Sequence, residues 1–316
     1  MSPLGDAALP AWLEARGVLL AAAARVDPPD DGRGSGTRRV TGADGRSAIV
    51  KQGPGVVVQA RYGEALRRLV PAQARVLAQS IHFDEPAQVL VLEDVRPAER
   101  LDALFDAGRA EPGLLFALGE FLGAVHRTTA NEAPLLVPLF PSHELRRRHA
   151  EALFDLPFAP GELSIEPRLR ALADDALAAR GLRERIAELR TRFEASRESL
   201  VHGDPSARHV WVQRERPRLV GGETAHVGDP AFDLGLALAH VHVQRVRARD
   251  SALCDACEKA LVDGYAPERA VLERARRYAG VEILRRALGP RRLLLLGTTA
   301  RAERALALGT TLVAAE

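Results

Sequence analysis

Hydrophobic positions along the chain change their spacing several times, and each change predicts a different element. Residues 11–25 place apolar side chains at helical spacing, which predicts an amphipathic helix packed on the N-terminal part of the chain. Asp27-Pro28-Pro29-Asp30-Asp31 breaks it. Residues 38–41 and 47–51 then alternate about a turn at Gly42-Ala43-Asp44-Gly45, the pattern of a β-hairpin. Residues 57–70 return to helical spacing, and residues 81–83 and 89–95 read as two strands joined by Asp84-Glu85-Pro86. From residue 101 helices dominate. Over 111–128, Leu114, Leu115, Leu118, Phe121, Leu122 and Val125 form one apolar stripe. Residues 143–156 and 168–199 carry dense Arg/Glu helical patterning. Strand-like runs reappear at 200–201 and 210–212, with 219–223 as the expected partner strand. Helices at 234–246 and near 299–315 follow. The order predicts an α+β chain, β-rich first and mostly helical afterwards.

Composition narrows the classes. At 316 residues with 47% hydrophobic and 27% charged residues, the chain can bury a sizeable core. A formal net charge of +2 argues against nucleic acid or an acidic membrane surface as partner. The apolar run at 18–24 is too short to span a bilayer, so a cytoplasmic location without membrane association is the expectation. Cys254 and Cys257 fall on a helical pattern with no second pair to complete a zinc site, and two small core residues are expected there. His126 reads as an interior or capping residue. His240 and His242, two residues apart on a helix, face different ways. Lys51 and Lys259 are the only lysines among 44 basic residues, so Lys51 marks a place where a compact ammonium is wanted.

The chemistry gathers around Leu200-Val201-His202-Gly203-Asp204-Pro205-Ser206. A second acidic turn follows at Gly228-Asp229-Pro230-Ala231-Phe232-Asp233-Leu234. Two carboxylate-bearing turns on neighbouring strands suit phosphoryl transfer to a hydroxyl, one orienting the acceptor and others serving a cation that neutralises phosphate. Upstream, Gly32-Arg33-Gly34-Ser35-Gly36 precedes a strand that ends in Lys51. Backbone N–H groups of Gly34, Ser35 and Gly36 could approach phosphate oxygens, with a surface loop as the plain alternative. Glu64 is positioned to reach back toward Lys51, and a solvated charge is its alternative. Arg285 and Arg286 offer a cationic pair to a polar substrate, or else mark an exposed helix end.

These residues, in this order, resemble the superfamily of aminoglycoside, choline and methylthioribose kinases. Val50-Lys51-Gln52, Val91-Leu92-Glu93-Asp94 and Leu284-Arg285-Arg286-Ala287-Leu288-Gly289 are most similar to the methylthioribose-kinase-like branch. The resemblance implies a protein-kinase-like bilobal fold, with a small N-lobe over residues 1–95 and a larger C-lobe over 96–316. It implies ATP as cofactor, its adenine against the segment from Leu92 to Val95, with Glu93 and Val95 in contact. Lys51 would contact phosphates with Glu64 behind it. Asp204 would be the catalytic base or acceptor-orienting residue and His202 would brace its loop, while Asp229 and Asp233 would be structural.

Two positions depart from the family pattern. His209 stands where a magnesium-ligating Asn is common, and Gly221-Gly222-Glu223 replaces an Asp-x-Glu triplet. Imidazole is a poor magnesium ligand, so Glu223 and His209 would form at best a residual Mg²⁺ site. Three readings stay open: an ATP-dependent kinase of a small-molecule hydroxyl, a pseudokinase that binds without turnover, and a kinase of Ser or Thr in a natural-product precursor peptide. A partner protein or a homodimer is also left open.

Overall fold

The computed structural model describes residues 4–21, 24–28, 36–140, 143–158, 166–178, 181–247, 251–289 and 296–315. A short helix α1 (Leu9–Glu14) opens the chain. Strands β1 (Arg25–Asp27), β2 (Thr37–Thr41) and β3 (Ser47–Gln52) follow, then helix α2 (Gly55–Leu69) and strands β4 (Ser80–Asp84) and β5 (Val89–Glu93). The five strands form one antiparallel sheet in the order β1-β2-β3-β5-β4.

Strand alternation explains how this sheet is held. Val40, Ala48, Val50, Val89 and Val91 face one side and pack against Leu9, Leu13 and Leu19. Leu90 and Leu92 face the other and pack against Val56 and Ala60 of α2, with Ile49 beside them. Lys51, two residues past Ile49 on β3, therefore shares the α2 side of the sheet.

The expected helix over 11–25 is shorter than its pattern. Gly17 adopts φ +67°, which ends the helical turn, and Val26 gains a strand partner in Val40. Pairing on a sheet edge outweighs the helical propensity of the alanine run.

The larger part is helical: α3 (Leu101–Asp106), α4 (Pro112–Ala130), α5 (Ala133–Leu136), α6 (His143–Ala150), α7 (Pro167–Ala178), α8 (Leu182–Ala195), α9 (Pro230–Arg247), α10 (Ser251–Tyr265), α11 (Arg269–Leu288) and α12 (Thr299–Ala314). The α4 stripe is buried as its spacing predicts. The Arg/Glu-rich stretch is two helices, α7 and α8, with Gly181 in left-handed backbone at φ +89° before the second. Helix α9 is buried nearly all round, which makes it the axis of this half. Cys254 and Cys257 lie buried on α10 and form no disulfide.

Short strands at the junction carry the functional loops. Strand β6 (Glu99–Arg100) pairs with β8 (Val210–Gln213), and β8 pairs with β9 (Arg216–Leu219) across a turn where Arg214 and Glu215 have φ +48° and +61°. Strand β7 (Ser199–Val201) pairs antiparallel with β10 (His226–Gly228). The partner of β8 is thus 216–219 and not the expected 219–223, because the tight turn closes the hairpin earlier. Gly221 and Gly222 instead form a left-handed kink at φ +100° and +105°. Among the described residues no helix is long and apolar enough to cross a membrane.

Candidate active site

The loop after β7 is fixed by one buried carboxylate. Asp233, in the first turn of α9, accepts the backbone N–H of His202 at 2.7 Å and of Gly203 at 2.9 Å. His126 Nε2 donates to the same carboxylate at 3.2 Å, while its Nδ1 accepts from the Tyr265 hydroxyl at 2.8 Å. Burial pushes the Asp233 pKa up, and these donors more than reverse it, so its pKa is lowered and it stays ionised. Asp229 is spent in the same structural way on Arg192, Arg274 and the N–H of Ala231. The start of α9 thereby holds the loop after β7 through Asp233 and ties α8 and α11 together through Asp229.

On this braced loop sits Asp204. Its backbone N–H donates to His202 Nδ1 at 3.2 Å, which leaves the proton of the neutral ring on Nε2. Burial lowers the His202 pKa, consistent with that neutral form. His202 Nε2 is buried and has no hydrogen-bond partner among the described residues. His209 Nδ1 donates to the Asp204 carbonyl at 2.9 Å and lies 3.4 Å from its carboxylate. Burial alone would push His209 down, but Asp204 beside it raises it to about 9. Burial would push Asp204 up, and His209 with Ser206 holds it well below the carboxylate range. The two are an imidazolium–carboxylate pair at neutral pH.

From the sheet side, Lys51 donates to Gln59 Oε1 of α2 at 3.1 Å and forms an ion pair with Glu223. This pair joins β3 to the loop after the Gly221–Gly222 kink. The Glu223 side chain packs against Gly55 at the start of α2. Burial would raise the Glu223 pKa, and Lys51 lowers it below the usual value.

Several expected positions are placed differently. Glu64 is exposed and does not back Lys51; Gln59 does. Five residues separate them, roughly 140° around a helix, so only one can face the sheet. Gly34 and Ser35 lie outside the described residues. Gly36 is held by the strand itself: its carbonyl accepts from the Gln52 N–H at 2.8 Å, and a Cβ there would lie 2.4 Å from the Gln52 carbonyl oxygen. Close backbone approach is reason enough for a glycine here. Glu93 accepts the Gln79 N–H at 2.8 Å and is ion-paired to Arg218. The Val95 carbonyl accepts from Gln213 Nε2 at 2.5 Å. The Glu93 carboxylate and the Val95 carbonyl are thus tied to the β8–β9 hairpin, which returns beneath them.

Arg286 is buried rather than at an exposed end. Glu282 accepts from Arg286 Nε at 2.7 Å and from Arg285 Nε at 2.6 Å, and Arg286 Nη1 lies 3.3 Å from His240 Nδ1. Burial raises Glu282, and the two guanidiniums bring it down to about 2. His240 adjoins this cluster through Arg286, while the His149 ring packs on Phe232 of α9 with 5.4 Å between centroids. Burial lowers both histidines, which keeps them neutral. Gln59, Glu282 and His149 were not singled out by the sequence, and His240 was read only as facing away from His242. The i, i+3 and i, i+4 spacing of Glu282 to Arg285 and Arg286 was the one available signal.

A magnesium ion does not fit this donor set. Among the described residues no group of three or more His, Cys, Asp or Glu side chains is placed to hold a metal. His209 has its pKa raised to about 9 by Asp204, Glu223 is engaged by Lys51, and Gly221 contributes no side-chain oxygen. The unpartnered Nε2–H of His202 marks the same gap: a Cβ on Gly221 would lie 3.6 Å from it, where a carboxylate would find a donor.

Comparison with known proteins agrees with this architecture. The chain is 28% identical over 188 residues to methylthioribose kinase of Bacillus velezensis, covering 57% of this chain and 46% of that protein. It is 27% identical over 196 residues to the Erwinia tasmaniensis enzyme, covering 58% and 49%. The chain thus spans about half the length of the curated relatives it matches. Choline kinase LicA of Streptococcus pneumoniae superposes with a TM-score of 0.53 at 14% identity, covering 95% of this chain and 97% of that one. Amicoumacin kinase hAmiN, solved with AMP-PNP, Ca²⁺ and Ami, gives 0.58 at 12% identity, covering 96% and 92%. At such identities the two structures show a shared fold alone. The family model described as "Phosphotransferase enzyme family" (APH) matches residues 25–276, and the chain belongs to that family.

Proposed function

We propose that the protein is an ATP-dependent phosphotransferase that moves the γ-phosphate to a hydroxyl oriented by Asp204. The observation that carries this reading is the opposition of Asp204 and Lys51. Asp204 is ionised on a loop fixed through Asp233, and Lys51 reaches from the sheet to Glu223 on the loop after the Gly221–Gly222 kink. A carboxylate of such low pKa is a weak proton acceptor before reaction, so its first task is to orient the acceptor hydroxyl. Residues 1–95 would supply the nucleotide side and residues 96–316 the acceptor side.

The acceptor face favours a neutral polyol or an anion over a polyamine. Arg285 and Arg286 share the single carboxylate Glu282, leaving an excess positive charge, and the neighbouring His240 is neutral. A Ser or Thr hydroxyl of a precursor peptide remains compatible with this charge.

A second reading is a nucleotide-binding protein without turnover. It is favoured by the protonated His209 and by Gly221, which remove the expected metal ligands. Coupled measurement of ADP release with sugar, aminoglycoside, amino-alcohol and peptide acceptors separates the two. Acceptor-dependent release that Asp204→Asn abolishes supports the transferase. Nucleotide binding without release on any acceptor supports the second reading.

A further inference from the structure

Helix α2 has two buried faces, and they serve different parts of the chain. Val56 and Ala60, one turn apart, pack with Leu90 and Leu92 of the sheet. Tyr62 and Leu66, also one turn apart, lie on another side and belong to the large core that holds Leu118, Leu200 and Leu219. Gln59 and Tyr62 are i, i+3 neighbours on the helix surface. Gln59 accepts from Lys51 Nζ at 3.1 Å. The Tyr62 ring meets the His202 imidazole edge to face, with 5.5 Å between centroids and 82° between planes.

That contact fixes a ring which hydrogen bonding leaves loose. His202 Nδ1 accepts the Asp204 N–H at 3.2 Å, and its Nε2 has no partner among the described residues. With a single hydrogen bond at one edge, the plane of the imidazole is set by what packs against it. The His209 ring lies farther off, 6.4 Å between centroids. The Gly221–Gly222 kink closes the seat from above α2. A Cβ on Gly222 would lie 3.2 Å from Tyr62 Cδ1 and 3.8 Å from Gln59 Cγ, so the kink runs along the same side of the helix. The Tyr62 hydroxyl is buried without a partner among the described residues, so the ring and not its oxygen makes these contacts.

We propose that Tyr62 is a positioning residue for phosphoryl transfer, acting through His202 to hold Asp204 at a fixed place relative to Lys51. The inference rests on the reading of Asp204 and Lys51 as parts of one phosphotransferase site. Those two residues come from distant segments, and α2 reaches both. Gln59 holds the ammonium, and Tyr62 seats the ring that bonds the Asp204 backbone. A misplacement of about 1 Å between reacting groups can cost about 10²-fold in rate, so Tyr62 need touch neither nucleotide nor acceptor to matter.

The test varies ATP against a fixed pool of sugar, aminoglycoside, amino-alcohol and peptide hydroxyls. ADP formation is the readout, and each rate is divided by the folded fraction from thermal melting. Tyr62→Phe keeps the ring and is expected to retain kcat within about twofold. Tyr62→Leu keeps an apolar side chain in the core but loses the aromatic edge. It is expected to lower kcat at least about tenfold while the KM for ATP stays within about threefold. Tyr62→Met, whose flexible chain fills the same space, is the second variant if Tyr62→Leu does not fold, with the same expected split. Unchanged kcat in the folded Leu or Met variant, or an equal loss in Tyr62→Phe, would overturn the proposal and leave the kinase reading intact. A wild type that forms no ADP with any of these acceptors would overturn both.

Discussion

His209 Nδ1 lies 2.9 Å from the carbonyl oxygen of Asp204 and 3.4 Å from its carboxylate. A residue standing where a metal-ligating amide is common in the family is the charge partner of the carboxylate proposed to orient the acceptor. Its consequences reach stability, nucleotide binding and turnover.

The pair makes stability depend on pH in a defined direction. His209 has its folded pKa raised from 6.5 to about 9 by Asp204, so its contribution is fully present below pH 6.5. That contribution is lost as pH rises through about 9. Asp204, lowered by the same contact, contributes above its ordinary carboxylate range and loses its share on acidification. Thermal melts of the wild type should fall across the upper interval more steeply than those of His209→Asn. Parallel curves would show that the pair contributes nothing.

Lys51, Gln59 and Glu64 should behave as three different classes. Lys51→Met is expected to weaken nucleotide binding by more than about tenfold, since the ammonium is the charge proposed to reach phosphate. Gln59→Ala removes one 3.1 Å hydrogen bond that positions the ammonium and should cost only a few-fold. Glu64→Ala, on an exposed position, should leave affinity unchanged. Calorimetry of the three variants against ADP checks the ranking.

These three residues also show what the sequence carried. The strand ending in Lys51, the His202–Asp204 turn and the Asp229–Asp233 turn are local patterns, and each marks a position within its own element. Which residue backs Lys51 depends on where α2 begins and how it rotates against the sheet. The helix starts at Gly55, two residues before its apolar pattern, and presents Gln59. The same holds for Val95, whose carbonyl is taken by Gln213 from a hairpin 118 residues away. Contacts between distant segments leave no trace in local spacing. The strand at 25–27 was hidden for a related reason, since its stability comes from β2 and not from its own composition.

Asp233 should matter more for folding than its distance from the chemistry suggests. Asp233→Ala leaves two backbone N–H groups and His126 without their acceptor in a fully buried place. Such a loss costs about 3–5 kcal/mol. Urea denaturation should show a fall of that size. A change below about 1 kcal/mol would mean the loop is held by other contacts.

Arg285 and Arg286 should separate binding from folding. Arg286 is 5% exposed and tied to Glu282, so Arg286→Ala should lower stability by about 3 kcal/mol or more by leaving that carboxylate partly uncompensated. Arg285, with a 36% exposed side chain, can turn toward an acceptor. Arg285→Ala should raise the acceptor KM by about tenfold while nucleotide affinity holds. Steady-state kinetics with the acceptor varied at saturating ATP distinguishes the two.

The most direct test of the account is detection of the transferred phosphate. Wild-type protein and Asp204→Asn would each be incubated with ATP and a pool of hydroxyl-bearing small molecules and peptides, with and without magnesium. Products would be read by mass spectrometry. The account predicts a phosphate-sized mass increase on an acceptor with the wild type, reduced by about 10²–10⁴-fold in the variant. A wild type that binds ATP yet phosphorylates nothing, or a variant that transfers phosphate equally well, would contradict it.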